Sequence, residues 1–488
     1  MILRWSDGEK LISRNVLKPE FCLSINRKGR LVQRLAPGLL DRLEPASSIL
    51  VQRSPAYPKK TLDKRFPWAY CSRAEQYARW RMRKINTTNF SIATRTTARD
   101  INRRIALNII RERQPISRAD LARHMKMTRG VVSVLVQELI LQGLIYEGAT
   151  GEAARGRKPT FLHVRTQDRL AVAVDVRFTK TYLMLCDFSG RQLGIEVYDT
   201  VFSIPAFVRD LAVRIKKMLK GRGAGAACEG IGIVVPGMVD QRTGRILNAP
   251  ALGWRGVDIR SRLAGATGLP VHIENSGRAC ALAQLWLEKA ETAGQSFVYV
   301  SVSDGVGTGI VMNGELIRGR DHIAGEFGHM PIDLKGPRCM CSANGCWEVY
   351  TSNLATVSRY FGWNLSKLSP KHLKEMEKKS FTILDLIARA RSEDSKALAA
   401  IQTSGHFLGL GIGTIVNIIN PDGIYLAGEI TDAWDLIEDT VRSAMAERTL
   451  TDAAGRTPLR ITPAQEYPRL RGAAALIAAP TFAAPRVA

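Results

Sequence analysis

The 488-residue chain has no run of about eighteen apolar residues, the length a helix needs to cross a bilayer, so no membrane span is expected. Its opening is charged and has neither the apolar core nor the cleavage site of a signal peptide, and a cytoplasmic location is expected. Cysteine is scarce. Of the eight, Cys22, Cys71, Cys186, Cys228 and Cys280 stand alone with no paired spacing, which argues against a secreted disulfide scaffold. Acidic residues are few beside basic ones: 45 Asp and Glu against 70 Lys and Arg give a formal charge of +25. Such an excess points to a polyanionic partner, with a solvated basic surface as the plainer alternative. The length exceeds one typical core, so two or more domains are expected.

The other three cysteines are clustered. Residues 325–348 read GEFGHMPIDLKGPRCMCSANGCWE and bring His329, Cys339, Cys341 and Cys346 into one short segment. Three thiolates and an imidazole make a closed tetrahedral donor set, the chemistry of a structural zinc site with no position left for water. Gly345 lets the chain fold back so that Cys346 can complete the set. The plainer alternative is three buried cysteines and an unrelated histidine.

The same stretch, G-E-x-G-H followed by C-x-C-x4-C-x-E, resembles the signature of the ROK family of sugar kinases and sugar-responsive transcription regulators. The resemblance implies that Glu326, His329 and Glu348 touch sugar hydroxyls, the histidine using one ring nitrogen for the metal and the other for the sugar. Ser342 stands where the family often has glycine.

Residues 1–81 hold 17 basic and 7 acidic side chains, with dispersed apolar residues and no sustained period. They are expected to be a basic extension that is disordered or not natively translated. Met82 opens MRKINTTNF, which resembles the start of ROK-type regulators and is the expected true start. The domains are then 82–166, a winged helix-turn-helix, and 167–488, a ROK sugar-binding domain.

In the first of these, ARDINRRIALNIIRERQ places Ile101, Ile105, Leu107, Ile109 and Ile110 on one broad helical stripe, and Pro115 ends it. Ser117 caps SRADLARHM, with Asp120 in the pattern of a capping box. Thr128 caps TRGVVSVLVQELILQGL, whose expected buried face is Val131, Val132, Leu135, Leu139 and Ile140. Two wing strands flank ARGRKP, a cationic tip suited to phosphate or a narrow minor groove. The expected DNA-binding residues are Ser117, Arg118, Thr128, Arg129, Gly130, Ser133, Arg155, Arg157 and Lys158.

From residue 168, strands feed strands and then helices, as in a two-lobed, actin-like (ribonuclease-H-like) α/β fold. The ROK resemblance covers about 168–480 and implies that fold. It also adds Gly237 in a Pro-Gly turn, Asn248 and Asn275 to the sugar-binding set.

The departures from the kinase pattern are as informative. The kinases carry N-D-x-N, its aspartate being the general base; here Ser276 takes that place and Arg278 the next. Losing a general base costs about 10²–10⁴ in rate. The phosphate turn D-x-G-x-T reads Asp175 to Thr179 with Arg177 for glycine and the bulky Phe178 beside it, although the turn from Asp304 to Gly309 is intact.

The expectation is a sugar-responsive, DNA-binding regulator, a repressor by default, that is not an enzyme. It needs structural zinc and no nucleotide, and it binds operator DNA and a sugar as a homodimer or homotetramer. The rivals are an active sugar kinase with Glu274 as substitute base, and a constitutive DNA-binding protein with the ROK domain as a dimerisation scaffold.

Overall fold

The computed structural model describes residues 2–6, 9–13, 21–25, 31–35, 94–150, 160–220, 227–287, 296–364 and 381–483. The chain divides into two compact units, Met1–Ile85 and Asn86–Ala488. In the first, β1 (Ile2–Ser6), β2 (Glu9–Ser13), β3 (Phe21–Ile25) and β4 (Leu31–Leu35) form an antiparallel meander. The sequence showed no sustained period here because each strand is only five residues long. Residues 36–93, and with them Met82, lie outside the described residues.

The second unit opens with α1 (Arg95–Arg113), β5 (Ile116–Ser117), α2 (Arg118–Met125), α3 (Arg129–Leu141), β6 (Ile145–Thr150) and β7 (Thr160–Val164). The strands pair in the order β5-β7-β6, the sheet of a winged helix-turn-helix. Its core buries Leu107 and Ile110 of α1, Leu121 of α2, Val132, Val136 and Leu139 of α3, and Phe482 from the far end of the chain. Ile105 is 43% exposed and Val131 46% exposed, so both leave the stripes expected of them. The apolar spacing allowed either edge of each stripe to face inward, and packing chose the other edge.

Two lobes follow. In the first, β8 (Arg169–Val176), β9 (Lys180–Asp187), β10 (Gln192–Asp199), β11 (Ala227–Val235) and β15 (Val271–Asn275) form a sheet ordered β10-β9-β8-β11-β15. Helices α4 (Ile204–Lys220) and α5 (Arg260–Thr267) pack on it. A small sheet of β12 (Met238–Asp240), β13 (Arg245–Ala249) and β14 (Trp254–Val257) rides at its edge.

The chain then enters α6 (Ser276–Leu287) and the second lobe: β16 (Phe297–Val302), β17 (Val306–Met312), β18 (Glu315–Ile317), β19 (Gly423–Ala427) and β20 (Leu459–Ile461). They are ordered β18-β17-β16-β19-β20. In both lobes three antiparallel strands are followed by two parallel ones in the same relative order. This repeated arrangement is the expected actin-like fold. Around the second sheet lie α7 (Asn353–Phe361), α8 (Ile383–Arg391), α9 (Ser395–Ile419) and α10 (Trp434–Arg448), and α11 (Pro468–Phe482) comes last.

Helices α6 and α11 run between the sheets. Ala279, Leu470, Ala473 and Ala474 pack on strands of the first lobe, while Cys280 and Ala281 face Phe297, Tyr299 and Val311 of the second. Small residues let these backbones close up: an added Cβ at Gly232 would lie 1.9 Å from the Ala473 carbonyl oxygen. Among the described residues no helix is long and apolar enough to cross a membrane.

Candidate functional site

The loop from Gly325 to Glu348 has almost no regular structure, so its shape depends on local closures. Ile332 N–H donates to Gly345 O at 2.8 Å, Cys339 N–H to Ala343 O at 2.8 Å and Gly345 N–H to Pro337 O at 2.8 Å. Gly345 has φ +65°, and a Cβ there would lie 1.5 Å from Asp333 O, so only glycine permits the fold-back. Trp347 is fully buried and its indole N–H donates to Phe407 O at 2.7 Å, pinning the loop to α9. Ser342 sits at φ +80°, the region glycine favours. Ser342→Gly should therefore raise stability by about 1 kcal/mol, measurable by denaturant unfolding; an unchanged midpoint would show that the turn carries no strain.

These closures gather His329, Cys339, Cys341 and Cys346, whose donor atoms lie within 4.8 Å of one another. His329 Nδ1 is 3.7 Å from Cys339 Sγ, and Cys341 Sγ is 3.6 Å from Cys346 Sγ. A tetrahedron with metal–sulfur bonds of about 2.3 Å and a metal–nitrogen bond of about 2.0 Å has edges of about 3.5–3.8 Å. The four residues fit a metal ion. Burial pushes both the Cys339 and Cys346 thiols up, Cys346 to about 11, so thiolates here call for a cation beside them.

The sugar-binding candidates fall into two groups. Gly237, Asn248 and Asn275 meet in the first lobe. Asn275 Nδ2 donates to Gly237 O at 3.0 Å, and a Cβ at Gly237 would lie 2.6 Å from Asn248 O. That glycine accommodates β13, a neighbour within the chain that sequence spacing does not reveal. Asn275 Oδ1 also accepts from Gly277 N–H at 2.9 Å and Arg278 N–H at 3.2 Å, which caps α6.

Glu326, His329 and Glu348 meet on the second lobe. Thr308 Oγ1 donates to Gly325 O and accepts from Phe327 N–H at 3.3 Å, tying GEFGH to β17. Glu348 Oε2 accepts from Val306 N–H at 2.9 Å, and its other oxygen lies 3.6 Å from Cys339 Sγ. Glu348 thus braces the glycine-rich turn and the cysteine group. Burial raises the Glu326 carboxyl above its ordinary range, opposed by the Arg278 guanidinium beside it.

Arg278 joins the two groups. It is fully buried: Nε donates to Glu274 Oε1 at 2.9 Å and Nη1 reaches Glu326 Oε1 at 3.4 Å. Glu274, also fully buried, accepts from Asn275 N–H at 2.8 Å and from Arg318 Nε at 3.3 Å. The sequence singled out Arg278 only as a departure and did not find Arg318. Arg278 with Glu326 and Arg318 with Glu274 join positions 48 and 44 apart, which sequence spacing does not reveal.

At the first phosphate turn Arg177 Nε donates to Asp175 Oδ2 at 2.8 Å and Nη1 to Glu429 Oε1 at 3.0 Å. Asn353 Nδ2 donates to the other Glu429 oxygen at 2.9 Å, and Arg469 Nε lies 2.9 Å from Asp175 Oδ1. The Arg177 side chain therefore crosses between the lobes where the glycine pattern would leave room. In the second turn, a Cβ at Gly305 would lie 2.4 Å from Glu348 Oε2 and one at Gly309 2.6 Å from Gly277 O. Those glycines serve close packing within the chain.

On the winged helix, Thr128, Arg129 and Gly130 are exposed and Ser133 is half-buried. Ser117 is buried; its hydroxyl donates to Asp120 Oδ2 at 2.6 Å and accepts from Asp120 N–H at 3.1 Å. It is a helix cap and is withdrawn from the DNA face. Arg118 pairs with Glu147 at 2.9 Å across to β6. Arg155, Arg157 and Lys158 lie outside the described residues.

The DNA-side fold and the cleft are joined by side chains. Arg111 Nη1 donates to Trp286 O at 3.1 Å, at the end of α6, and its guanidinium stacks 4.6 Å from the Phe482 ring. Asn108 Nδ2 donates to Phe482 O at 2.8 Å and Arg104 Nη1 to Pro480 O at 3.0 Å, so α1 satisfies the last carbonyls of α11. Trp286 packs against both the winged-helix core and the α6–α11 contact.

Comparison with known proteins agrees with this architecture. A ROK family model matches residues 171–479, and a MarR family model matches residues 101–156. The xylose repressor of Bacillus spizizenii is 30% identical over 359 residues, 73% of this chain and 89% of that protein. The glucokinase of Halalkalibacterium halodurans is 28% identical over 306 residues, 60% of this chain and 90% of that protein. A solved ROK family transcriptional regulator, a homologue of the E. coli MLC protein, superposes with a TM-score of 0.64 at 25% identity, covering 78% of this chain and 97% of that one. With two similarly ordered sheets, a cysteine-rich loop on the second of the two lobes and a family match over more than half its length, this chain belongs to the ROK family.

Proposed function

We propose that this protein is a cytoplasmic, sugar-responsive DNA-binding transcription regulator that represses carbohydrate-metabolism genes. The observation that carries the reading is the joint made by Arg111, Trp286 and Phe482. The winged helix is built onto the ends of α6 and α11, and α6 begins at the candidate sugar residues. Sugar held by Gly237, Asn248, Asn275, Glu326, His329 and Glu348 favours one arrangement of the lobes. The ends of α6 and α11 then shift the winged helix. Such a ligand acts only through its different affinities for the two arrangements. Thr128, Arg129, Gly130 and Ser133 lie in the major groove, Arg155, Arg157 and Lys158 on the backbone or minor groove, and a homodimer or homotetramer reads paired half-sites. The resemblance to a xylose repressor supports this assignment.

The metal in this reading is structural zinc, held by His329, Cys339, Cys341 and Cys346, and it supplies loop order and a fixed imidazole. Metal–thiolate attraction offsets the burial that raises the cysteine pKa values. With Nδ1 facing the sulfurs, His329 keeps Nε2 for a hydroxyl group.

Phosphorylation is not part of the proposed function. Serine at position 276 has no basicity near neutral pH, and the substitute Glu274 is fully buried and bound to Asn275, Arg278 and Arg318. Arg177 fills the phosphate turn with a paired guanidinium.

A thermal-shift panel of the full chain against monosaccharides, amino sugars and sugar phosphates, with and without ATP, tests the proposal. One sugar should raise the melting temperature without ATP. Stabilisation at a hundred times Kd is about 2.7 kcal/mol, and Glu326→Ala should remove most of it. Binding that requires ATP together with sugar would restore the kinase reading. No shift with any sugar would leave the scaffold reading.

A further inference from the structure

We infer that the exposed face of α3 formed by Gly130, Val131 and Val134 reads thymine methyl groups in the major groove, so that each operator half-site carries A·T pairs at that point. The inference rests on the DNA-binding reading and deepens it.

Val131 is 46% and Val134 52% exposed, on a helix whose inner side is filled by Val132, Leu135, Val136 and Leu139. Positions three apart on a helix face the same way, and the exposed side continues to Gln137. No carboxylate occurs in the first turn, and Glu138 is turned to Arg99 and Arg103 at its edge. The face is therefore apolar, with Arg129 exposed at its start and +25 on the whole chain. That combination of charge and apolar surface suits a polyanion presenting methyl groups. The C5-methyl of thymine is the one apolar group on the major-groove edge of DNA.

Gly130 supplies an independent observation. A Cβ added there meets nothing within 4 Å, so nothing within the described chain requires a glycine. Glycine is nevertheless a poor helix former, and a helix's first turn gains nothing from it unless something outside must come close. Thr128, the residue that precedes the helix, makes no side-chain cap hydrogen bond, which leaves its hydroxyl available to a phosphate oxygen. Val131 and Val134 are separated by about 4.5 Å along the axis, a little more than one base-pair step, so two neighbouring or next-neighbouring pairs are read.

The test uses the full-length protein to select duplexes from a randomised pool. Each thymine of the selected half-site is then replaced by deoxyuridine, which lacks only the methyl group. Affinity should fall about fourfold per methyl at one or two close positions. Val134→Ala should show that loss with thymine and little further loss with deoxyuridine. Gly130→Ala should melt at a higher temperature yet bind the selected duplex about tenfold more weakly, a pairing a purely structural role cannot produce. Full tolerance of deoxyuridine at every thymine overturns the inference while leaving DNA binding intact. A change in self-association with Val134→Ala, at unchanged DNA affinity, overturns it in favour of an interface between copies of the chain. Failure to select any duplex overturns the DNA-binding reading, and this inference with it.

Discussion

Stripping the metal from the His329–Cys339–Cys341–Cys346 centre should abolish sugar binding while leaving the winged helix folded. Structural zinc in small cysteine–histidine sites is worth about 10–16 kcal/mol of apparent binding free energy, which a loop with almost no regular structure cannot replace. Without the ion, buried Cys339 and Cys346 protonate, as burial alone already favours. The loop then releases His329 and Glu348, and Glu348 no longer braces the turn at Val306. Elemental analysis should find one metal per chain, and Cys341→Ser should match chelated protein in losing the sugar-induced thermal shift. The winged-helix core lies elsewhere, built from α1, α2, α3 and Phe482, so operator affinity without sugar should change by less than about threefold. Chelated protein that binds sugar as before would mean the four residues do not organise the site.

Trp286→Ala should separate sugar binding from the DNA response. Couplings between two sites in one protein are typically about 1–3 kcal/mol, or 5–150-fold in affinity. In the proposed reading the route runs along α6, about 16 Å from the Asn275 cap to the Trp286 carbonyl that receives Arg111. Removing the indole takes away its packing against both the winged-helix core and the α6–α11 contact. The variant should still gain thermal stability from sugar, because Trp286 stands at the far end of α6 from the Asn275 cap. Its operator affinity, measured by fluorescence anisotropy with and without sugar, should become nearly insensitive to sugar. Stability should fall by less than the roughly 3–5 kcal/mol of a fully buried aromatic truncation, since Trp286 is only half-buried. Arg111→Ala provides a second variant acting from the opposite side of the joint. If both respond to sugar as the unmodified protein does, the coupling travels by another route.

Local pattern in the sequence was enough for the helix-turn-helix, the two-lobed fold and the cysteine-rich loop. Caps, turn residues and ligand spacings act within a few positions of one another, and Asp120 on Ser117 and Gly345 at φ +65° follow from such short-range rules. The tertiary structure alone decided which side of an apolar helix faces inward. Val131 and Ile105 match their neighbours in type yet lie outside the core, because sheet and helix packing admits only part of a wide stripe. It alone also turned Ser117 from a DNA candidate into a buried cap, and Arg278 from a lost kinase asparagine into the link between Glu274 and Glu326. The Arg177–Glu429 pair spans 252 positions, and the contact of Asn108 with Phe482 spans 374. A sequence reports residue types and spacings, whereas a buried charge finds its partner only when distant segments are folded together.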